Sequence, residues 1–216
     1  MTLPAFKVLA GVKPAAGGGG GGISVVQAGV SQLISTGVYG AVFPASVTDG
    51  NTVILCVRGI SASSGWTLPS GFVIDQEFTA TDTAAVMSKL SDGTEGDTFS
   101  ATLGANVRHM VMGLEVSGVA TSSPFDVWDT SNNTGTSLAL GPTATTAIAD
   151  SIAVAAVFHS GGTSAESFSD SFVTQELGVT GESATKILTA TGTPSTTASW
   201  TTSRTNLGFL AVYKGA

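Results

Sequence analysis

The sequence contains an acidic stretch whose residue types and spacing could bind a metal ion. Asp92, Glu95 and Asp97 lie close together in SDGTEGD, and carboxylate oxygens gathered by a loop are the ligands that Ca²⁺ prefers. The stretch lacks the ligand spacing of an EF-hand, however, and Asp-Gly pairs form turns between strands without any metal. The sequence therefore favours a simple turn at 91–97 and no resident metal or cofactor, with Ca²⁺ binding as the alternative.

A second candidate site combines tryptophans with acids. Asp126 and Asp129 flank Trp128 in FDVWDTS, and Trp66 lies in the turn-rich stretch SSGWTLPSG. An exposed aromatic ring can stack on the face of a sugar, while nearby carboxylates accept hydrogen bonds from its hydroxyl groups. A loop tryptophan can instead cover the end of a β-sandwich. The sequence leaves both interpretations open, a glycan platform or a packing role.

No recognisable catalytic motif accompanies these residues. His109 and His159 are the two histidines, the residue type whose ordinary pKa lies nearest neutrality. Neither belongs to a motif such as GxSxG or HExxH, and the sequence assigns them no nucleophile and no orienting partner. The lone cysteine, Cys56, lies in the apolar run TVILCV and is expected to be a buried hydrophobic residue. We therefore expect a protein without enzymatic activity.

Composition narrows the classes of partner. The net charge is −7, from 8 basic and 15 acidic residues, which disfavours nucleic acid because no basic surface is available to neutralise phosphates. The apolar runs are much shorter than the roughly 20 residues of a membrane-spanning helix, so we expect no membrane partner. The N-terminal sequence also lacks the charged region and apolar stretch of a secretory signal.

The elements that must position the candidate residues are predicted to be β-strands. Segments rich in Thr and Val alternate with clusters of Gly, Ser and Asp, a pattern typical of a sandwich or barrel. NTVILCVRGI (51–60) is almost continuously apolar and is predicted to be a central strand covered on both faces. TAAVMSKLS (83–91) fits a strand or a short helix. VATSSPFDVWDTSNNTG (119–135) is predicted to be a long loop across one end of the sandwich.

The two halves of the chain share a pattern. ADSIAVAAVF in the second half matches DGNTVILCVR in the first, and SFVTQELGVTGESATKILTATG matches FVIDQEFTATDTAAVMSKLSDG. The segments that end in LEVSG and AVYKG form a third pair in the same order. The sequence therefore predicts an all-β, jelly-roll-like antiparallel β-sandwich built from two pseudo-repeated halves, at about 23–118 and 119–216.

An N-terminal segment stands apart from this body. Residues 1–16 contain Pro4 and Pro14 and no acid, and six glycines follow at 17–22. Proline excludes a long helix, and a glycine run carries no side chain that could pack. We therefore predict an extended anchoring arm, a hinge at 17–22 and a single sandwich domain at 23–216. The arm residues expected to make contacts are Leu3, Phe6, Lys7, Val8, Leu9 and Lys13.

The order of short motifs in the body resembles a family of tailed-bacteriophage virion proteins. These motifs are the apolar strand in TDGNTVILCV, the GWT loop (65–67), the LEVSG strand end (114–118) and the connector SSPFDVWDTSNNTG. The resemblance covers about residues 23–216 and includes no catalytic signature. It implies a minor tail protein or another accessory structural protein with a jelly-roll-like module. Asn51 stands where many members have Asp, and residues 1–22 form an addition ahead of the module.

On this resemblance, we expect a non-enzymatic structural subunit on the exterior of a tailed-phage virion, of the decoration type on head or tail. It would be made in the host bacterial cytoplasm, and its arm would attach it to other virion proteins or to copies of itself as a homo-oligomer. The alternative function is a tail-associated carbohydrate-binding adhesin that recognises a glycan of the host surface.

Overall fold

The structure is a computed structural model that describes residues 22–35, 38–60, 65–104, 109–161, 167–177 and 180–216. The predicted arm and nearly all of the predicted hinge lie outside the described residues. The first half of the chain contributes β1 (Ser24–Ser35), β2 (Val38–Val42), β3 (Thr52–Gly59), β4 (Trp66–Thr67), β5 (Val73–Thr79), β6 (Thr83–Leu90), β7 (Thr98–Phe99), β8 (Thr102–Leu103) and β9 (His109–Ser117). The second half contributes β10 (Phe125–Leu140), β11 (Ser151–His159), β12 (Ser167–Phe168), β13 (Val173–Leu177), β14 (Gly181–Leu188) and β15 (Thr196–Lys214).

Each half of the chain builds one antiparallel sheet. The first sheet has the strand order β5-β6-β3-β9-β1-β2-β7, and β4 pairs with β8 separately. The second sheet has the order β10-β15-β11-β14-β13, and β12 also pairs with β15. The prediction of an all-β antiparallel sandwich is confirmed. In the part of the chain that the structure describes, no helix is long and apolar enough to cross a membrane.

The two sheets pack face to face around a shared central core, as in sandwiches generally. The first sheet supplies to it Ile54, Cys56, Val86, Met112 and Leu114, and the second supplies Ile152, Val154, Phe158, Phe209 and Tyr213. Each sheet also curls over a core of its own. The first outer core includes Val53, Leu55, Val57, Trp66, Phe72 and Leu103, and the second outer core includes Ala153, Val157, Phe172, Trp200, Leu210 and Val212.

This layering explains the continuous apolar runs in the sequence. Successive side chains of a strand point to opposite faces, so Ile54 of β3 enters the central core while Val53 and Leu55 enter the first outer core. All eight residues of β3 are buried. β11 alternates in the same way between the central core and the second outer core. The prediction of a central, doubly covered strand at 51–60 is confirmed, and TAAVMSKLS forms strand β6.

The sheets repeat one another in topology and in detail. The neighbour order β5-β6-β3-β9-β1 of the first sheet recurs as β13-β14-β11-β15-β10 in the second. The edge strands β5 and β13 both carry a bulge at the same place, between residues 74 and 76 and between residues 174 and 176. The strand pairs that the sequence pattern matched are therefore the pairs that occupy corresponding positions.

Strand β10 corrects the prediction of a loop at 119–135. Residues 125–135 belong to β10, which pairs with β15 along most of its length. β10 lies at the edge of its sheet, where half-exposed positions accept Ser, Thr and Asn side chains at little cost. The polar composition that signals a loop in the sequence therefore reflects an edge strand.

Candidate functional site

The acidic turn is organised by a lysine. Glu95 accepts a hydrogen bond from Lys89 Nζ at 2.7 Å and others from Ser91 Oγ at 2.9 Å and the backbone N–H of Asp92 at 3.0 Å. Asp97 is exposed, and its carboxylate accepts a bond from the hydroxyl of Thr98 instead. Within the described ranges, no three His, Cys, Asp or Glu side chains are close enough to hold a metal ion together. The candidate residues Asp92, Glu95 and Asp97 thus form a turn held by an internal cation.

These contacts change the acidity of the turn. Burial raises the pKa of Glu95, but the hydrogen bonds from Lys89, the backbone and Ser91 outweigh burial and lower the pKa to about 2. Hydrogen bonds from Thr94 lower the pKa of Asp92. Asp92 Oδ1 lies 3.0 Å from the Thr94 backbone nitrogen, the geometry of an Asx turn. Both carboxylates are therefore ionised acceptors that stabilise the loop.

The two candidate tryptophans do not form a glycan platform. Trp66 is only 8% exposed and lies in the first outer core against His109, with ring centroids 6.2 Å apart. Trp128 is half-buried and packs against the central core together with Phe125. The prediction of a sugar-stacking role for Trp66 is therefore wrong, because its ring has almost no accessible face. The alternative, a ring that covers the core, describes Trp66 correctly.

The acids that flank Trp128 accept hydrogen bonds from backbone N–H groups. Asp126 accepts a hydrogen bond from the Ala147 N–H at 2.7 Å, and Asp129 accepts one from the Gly141 N–H at 2.9 Å. Asp129 lies opposite Leu210 of the second outer core, whereas Trp128 lies opposite Ala211 of the central core. Since opposed residues of antiparallel strands share a face, Asp129 and Trp128 point to different faces. The predicted platform of Asp126, Trp128 and Asp129 is not brought together.

The two histidines lie in different outer cores. His109 is 7% exposed, and its Nε2 accepts a hydrogen bond from the Leu103 N–H at 2.6 Å. Burial lowers the pKa of His109, and the Leu103 carbonyl oxygen, 3.3 Å from Nε2, offsets part of this because it can accept a hydrogen bond from the protonated ring. His159 is buried beside Trp200, with ring centroids 4.5 Å apart, and its Nδ1 lies 2.8 Å from Asn206 Oδ1. Each imidazole is a packed part of its sheet.

Three buried polar groups link elements in ways that the sequence pattern did not indicate. Glu115 of β9 is fully buried and accepts hydrogen bonds from Gln27 of β1, the Thr48 N–H and Asn51. Arg58 of β3 pairs with Asp82 and donates to the backbone carbonyl of His159, which belongs to the other sheet. The sequence does show Glu115 and Arg58 as lone charged residues in apolar strands, which is a sign of a buried charge but does not identify its partners.

The third group joins the sheets at the bulge of β5. Tyr213 Oη donates to Asp75 Oδ2 at 2.7 Å. Burial raises the pKa of Asp75, and hydrogen bonds with Ser88 and Tyr213 offset part of the rise. Burial, followed by the nearby charge of Asp75, raises the pKa of Tyr213 well above its ordinary value. The Tyr213 ring also packs edge-on against Phe125, with centroids 5.7 Å apart, so this position is filled by two aromatic rings.

An open groove of about 360 Å³ lies between β1 and β13, the edge strand on the opposite side of the second sheet from β10. Its lining includes Ser24, Val25, Val173, Gln175, Thr185 and Ile187. Val173 is 62% exposed and Ile187 is 41% exposed. A neighbouring recess is lined by Gly22, Ile23 and Asp150, and it shares Ile187 with the groove. The groove is thus an exposed apolar surface at the point where the described chain begins.

The candidate arm residues Leu3, Phe6, Lys7, Val8, Leu9 and Lys13 lie outside the described residues. Comparison of the chain with family models, with curated proteins and with solved structures finds no match in any of the three. The case for a function therefore rests on the geometry of the chain itself and on the motifs of its sequence.

Proposed function

We propose that this chain is a non-enzymatic structural subunit on the exterior of a tailed-phage virion, attached through its N-terminal segment. The observation that carries the proposal is the contrast between the bonded acids and the exposed apolar groove. The acids that the sequence singled out are engaged in holding turns and loops, whereas the groove beside Gly22 exposes apolar side chains. Exposed apolar surface of this kind marks interaction sites.

The phage context of the proposal comes from the sequence. The motifs TDGNTVILCV, GWT, LEVSG and SSPFDVWDTSNNTG resemble accessory virion proteins, and the duplicated sandwich agrees with a structural role. A carbohydrate-binding role is not proposed, because Trp66 is buried and Trp128 packs against the central core. The partners are accordingly other virion proteins and further copies of this chain.

The proposal is tested by incorporation into particles. The full chain and a variant that lacks residues 1–16 are each supplied to a phage from which the native gene has been removed. The full chain should appear in purified particles at a constant copy number, and the truncated chain should be soluble and folded by circular dichroism but absent from them. A full chain that is missing from purified particles would overturn the virion role. A truncated chain that is incorporated at the normal copy number would overturn the anchoring role.

A further inference from the structure

We propose that the groove between β1 and β13 receives the N-terminal segment of a second copy of this chain, with Phe6 as the buried anchor. The inference rests on the proposed anchoring role of that segment and names its docking site. Neither the groove nor its occupant is apparent from the sequence pattern, because Val25, Val173 and Ile187 come from three separate strands.

The internal repeat shows what the groove lacks. Val25 pairs with Val116 in the first sheet, and the corresponding pair in the second sheet is Phe125 with Tyr213. A bulge follows directly after Val25 and after Phe125, which fixes the correspondence. The second sheet places the ring of Tyr213, packed on Phe125, beside the bulge of β5. The first sheet places only Val25 in the groove beside Gln175 of the β13 bulge.

The difference in side-chain size leaves the groove open. At the filled position, Tyr213 reaches Asp75 of β5 and its ring contacts Phe125. At the open position, Gln175 takes the place of Asp75, and its Nε2 donates a hydrogen bond to Thr185 Oγ1 at 2.8 Å. Apolar surface that is exposed because a ring is missing is suited to a ring supplied by another segment.

The N-terminal segment offers such a ring. Phe6 is the one aromatic residue among residues 1–21, and the aliphatic residues Leu3, Val8 and Leu9 lie within three positions of it in the sequence. The nearby acids are Asp150, which lines the recess, and Asp170, which is exposed next to Ser171 of the groove lining. Lys186 also lines the groove, so attraction of Lys7 and Lys13 is secondary and burial of Phe6 provides the affinity.

The glycine run favours a neighbouring copy as the source of the segment. Gly22 lines the recess and Ser24 lines the groove, so the chain leaves its own body at the groove rim. If the N-terminal segment folded back into the groove of its own copy, the few residues of a tight turn would be enough to connect them. Six glycines at 17–22 can span up to about 20 Å, which suits a docking site on an adjacent molecule.

Disulfide trapping between two full-length copies tests the proposal. One copy carries Ala5→Cys, which keeps Phe6, together with an affinity tag, the other carries Val173→Cys, and the native Cys56 is buried. The matched control replaces Val173→Cys by Val73→Cys, since Val73 occupies the corresponding edge position and is similarly exposed, 58% against 62%. We expect roughly tenfold more mixed disulfide with Val173→Cys than with Val73→Cys, the factor that burial of a ring adds to association.

A second variant blocks the groove without touching the segment. Val25→Phe in the acceptor copy supplies the ring that Phe125 provides in the other sheet, and it should reduce the mixed disulfide to the level of the Val73→Cys control. Equal trapping at Val73 and Val173, or trapping that Val25→Phe leaves unchanged, would overturn the proposal. So would a chain carrying both Ala5→Cys and Val173→Cys that forms the disulfide only within itself. These results would leave the particle-incorporation result intact, so failure of the groove and failure of the anchoring role are distinguishable.

Discussion

At the scale of single residues, several acids of this chain act as acceptors for backbone N–H groups. Glu95 accepts from Asp92, Glu115 from Thr48 and Asp126 from Ala147. A carboxylate satisfies loop N–H groups that no strand pairs, and such charge-assisted bonds are stronger than neutral ones. These three acids therefore have a structural role in the loops that they hold.

Glu95 gives the first prediction, a pH-dependent loss of stability. Its pKa of about 2 lies below the ordinary value of 4.5, so its contribution is complete above about pH 4.5 and is lost as the pH falls toward 2. After allowance for solvent screening, Glu95→Gln should lower the free energy of unfolding at pH 7 by about 1 kcal/mol. Urea denaturation from pH 7 to pH 2.5 measures this difference.

Asp97→Asn is the matched control for Glu95→Gln. Asp97 lies in the same turn and is exposed, and among the described contacts its carboxylate accepts a bond only from the neighbouring Thr98 hydroxyl. Its replacement by Asn should therefore change the free energy of unfolding by less than about 0.5 kcal/mol. A difference between Glu95→Gln and the native chain that stays constant down to pH 2.5 would contradict the electrostatic origin.

For Asp75 we expect the opposite pH dependence of the free energy of unfolding. Because burial raises its pKa, the protonated carboxyl suits the folded state, and its contribution is complete below the ordinary pKa and lost as the pH rises through the folded pKa. Asp75→Asn removes the charge and keeps an acceptor for Tyr213 Oη. We therefore expect the stability of the native chain relative to Asp75→Asn to fall between pH 3 and pH 7, as measured by urea denaturation.

Asp75→Ala separates the hydrogen bond from the charge. This variant leaves the buried Tyr213 hydroxyl without its acceptor, which should cost about 1–3 kcal/mol at every pH. If Asp75→Asn and Asp75→Ala had the same free energy of unfolding, the bond between Asp75 and Tyr213 would have no role in joining the sheets.

At the scale of elements, the strands that are apolar on both faces were predictable and the half-exposed ones were not. β3 and β11 are recognisable because both of their faces enter cores. The sequence predicts a loop over much of β10 because its Asp, Ser and Asn residues are typical of turns. Only pairing with β15 gives these residues a strand conformation. The groove could not be predicted from the sequence either, because it depends on which sheet carries valines and which carries aromatic rings at corresponding positions.

The connection between β10 and β11 provides the element-scale prediction. Asp129 and Asp126 hold its two ends through the N–H groups of Gly141 and Ala147. The double variant Asp126→Ala, Asp129→Ala should lower the free energy of unfolding by about 2 kcal/mol, from about 1 kcal/mol for each bond. Amide hydrogen exchange should quicken at Gly141 and Ala147 by more than it does in the core strand β3, where exchange follows global unfolding. Unchanged exchange at both amides would show that the connection is held by other contacts.

At the scale of the whole molecule, the two halves form sheets of repeated topology that depend on each other. Both contribute to the central core, and Arg58 of the first sheet bonds the His159 carbonyl of the second. A half separated from its partner would expose the apolar inner face of its sheet, which is unfavourable in proportion to the area. The same repeat leaves one position filled by Phe125 and Tyr213 and the corresponding one open.

This mutual dependence predicts a single unfolding transition for both halves. Trp66 lies in the first outer core and Trp200 in the second, so Trp→Phe replacements that leave one or the other give a reporter for each sheet. In each variant, the urea midpoint from fluorescence should equal the midpoint from circular dichroism. Phe209→Ala, in the central core, should lower the free energy of unfolding by about 3–5 kcal/mol according to both reporters. If only the Trp200 reporter shifted, the sheets would unfold independently and the central core would not couple them.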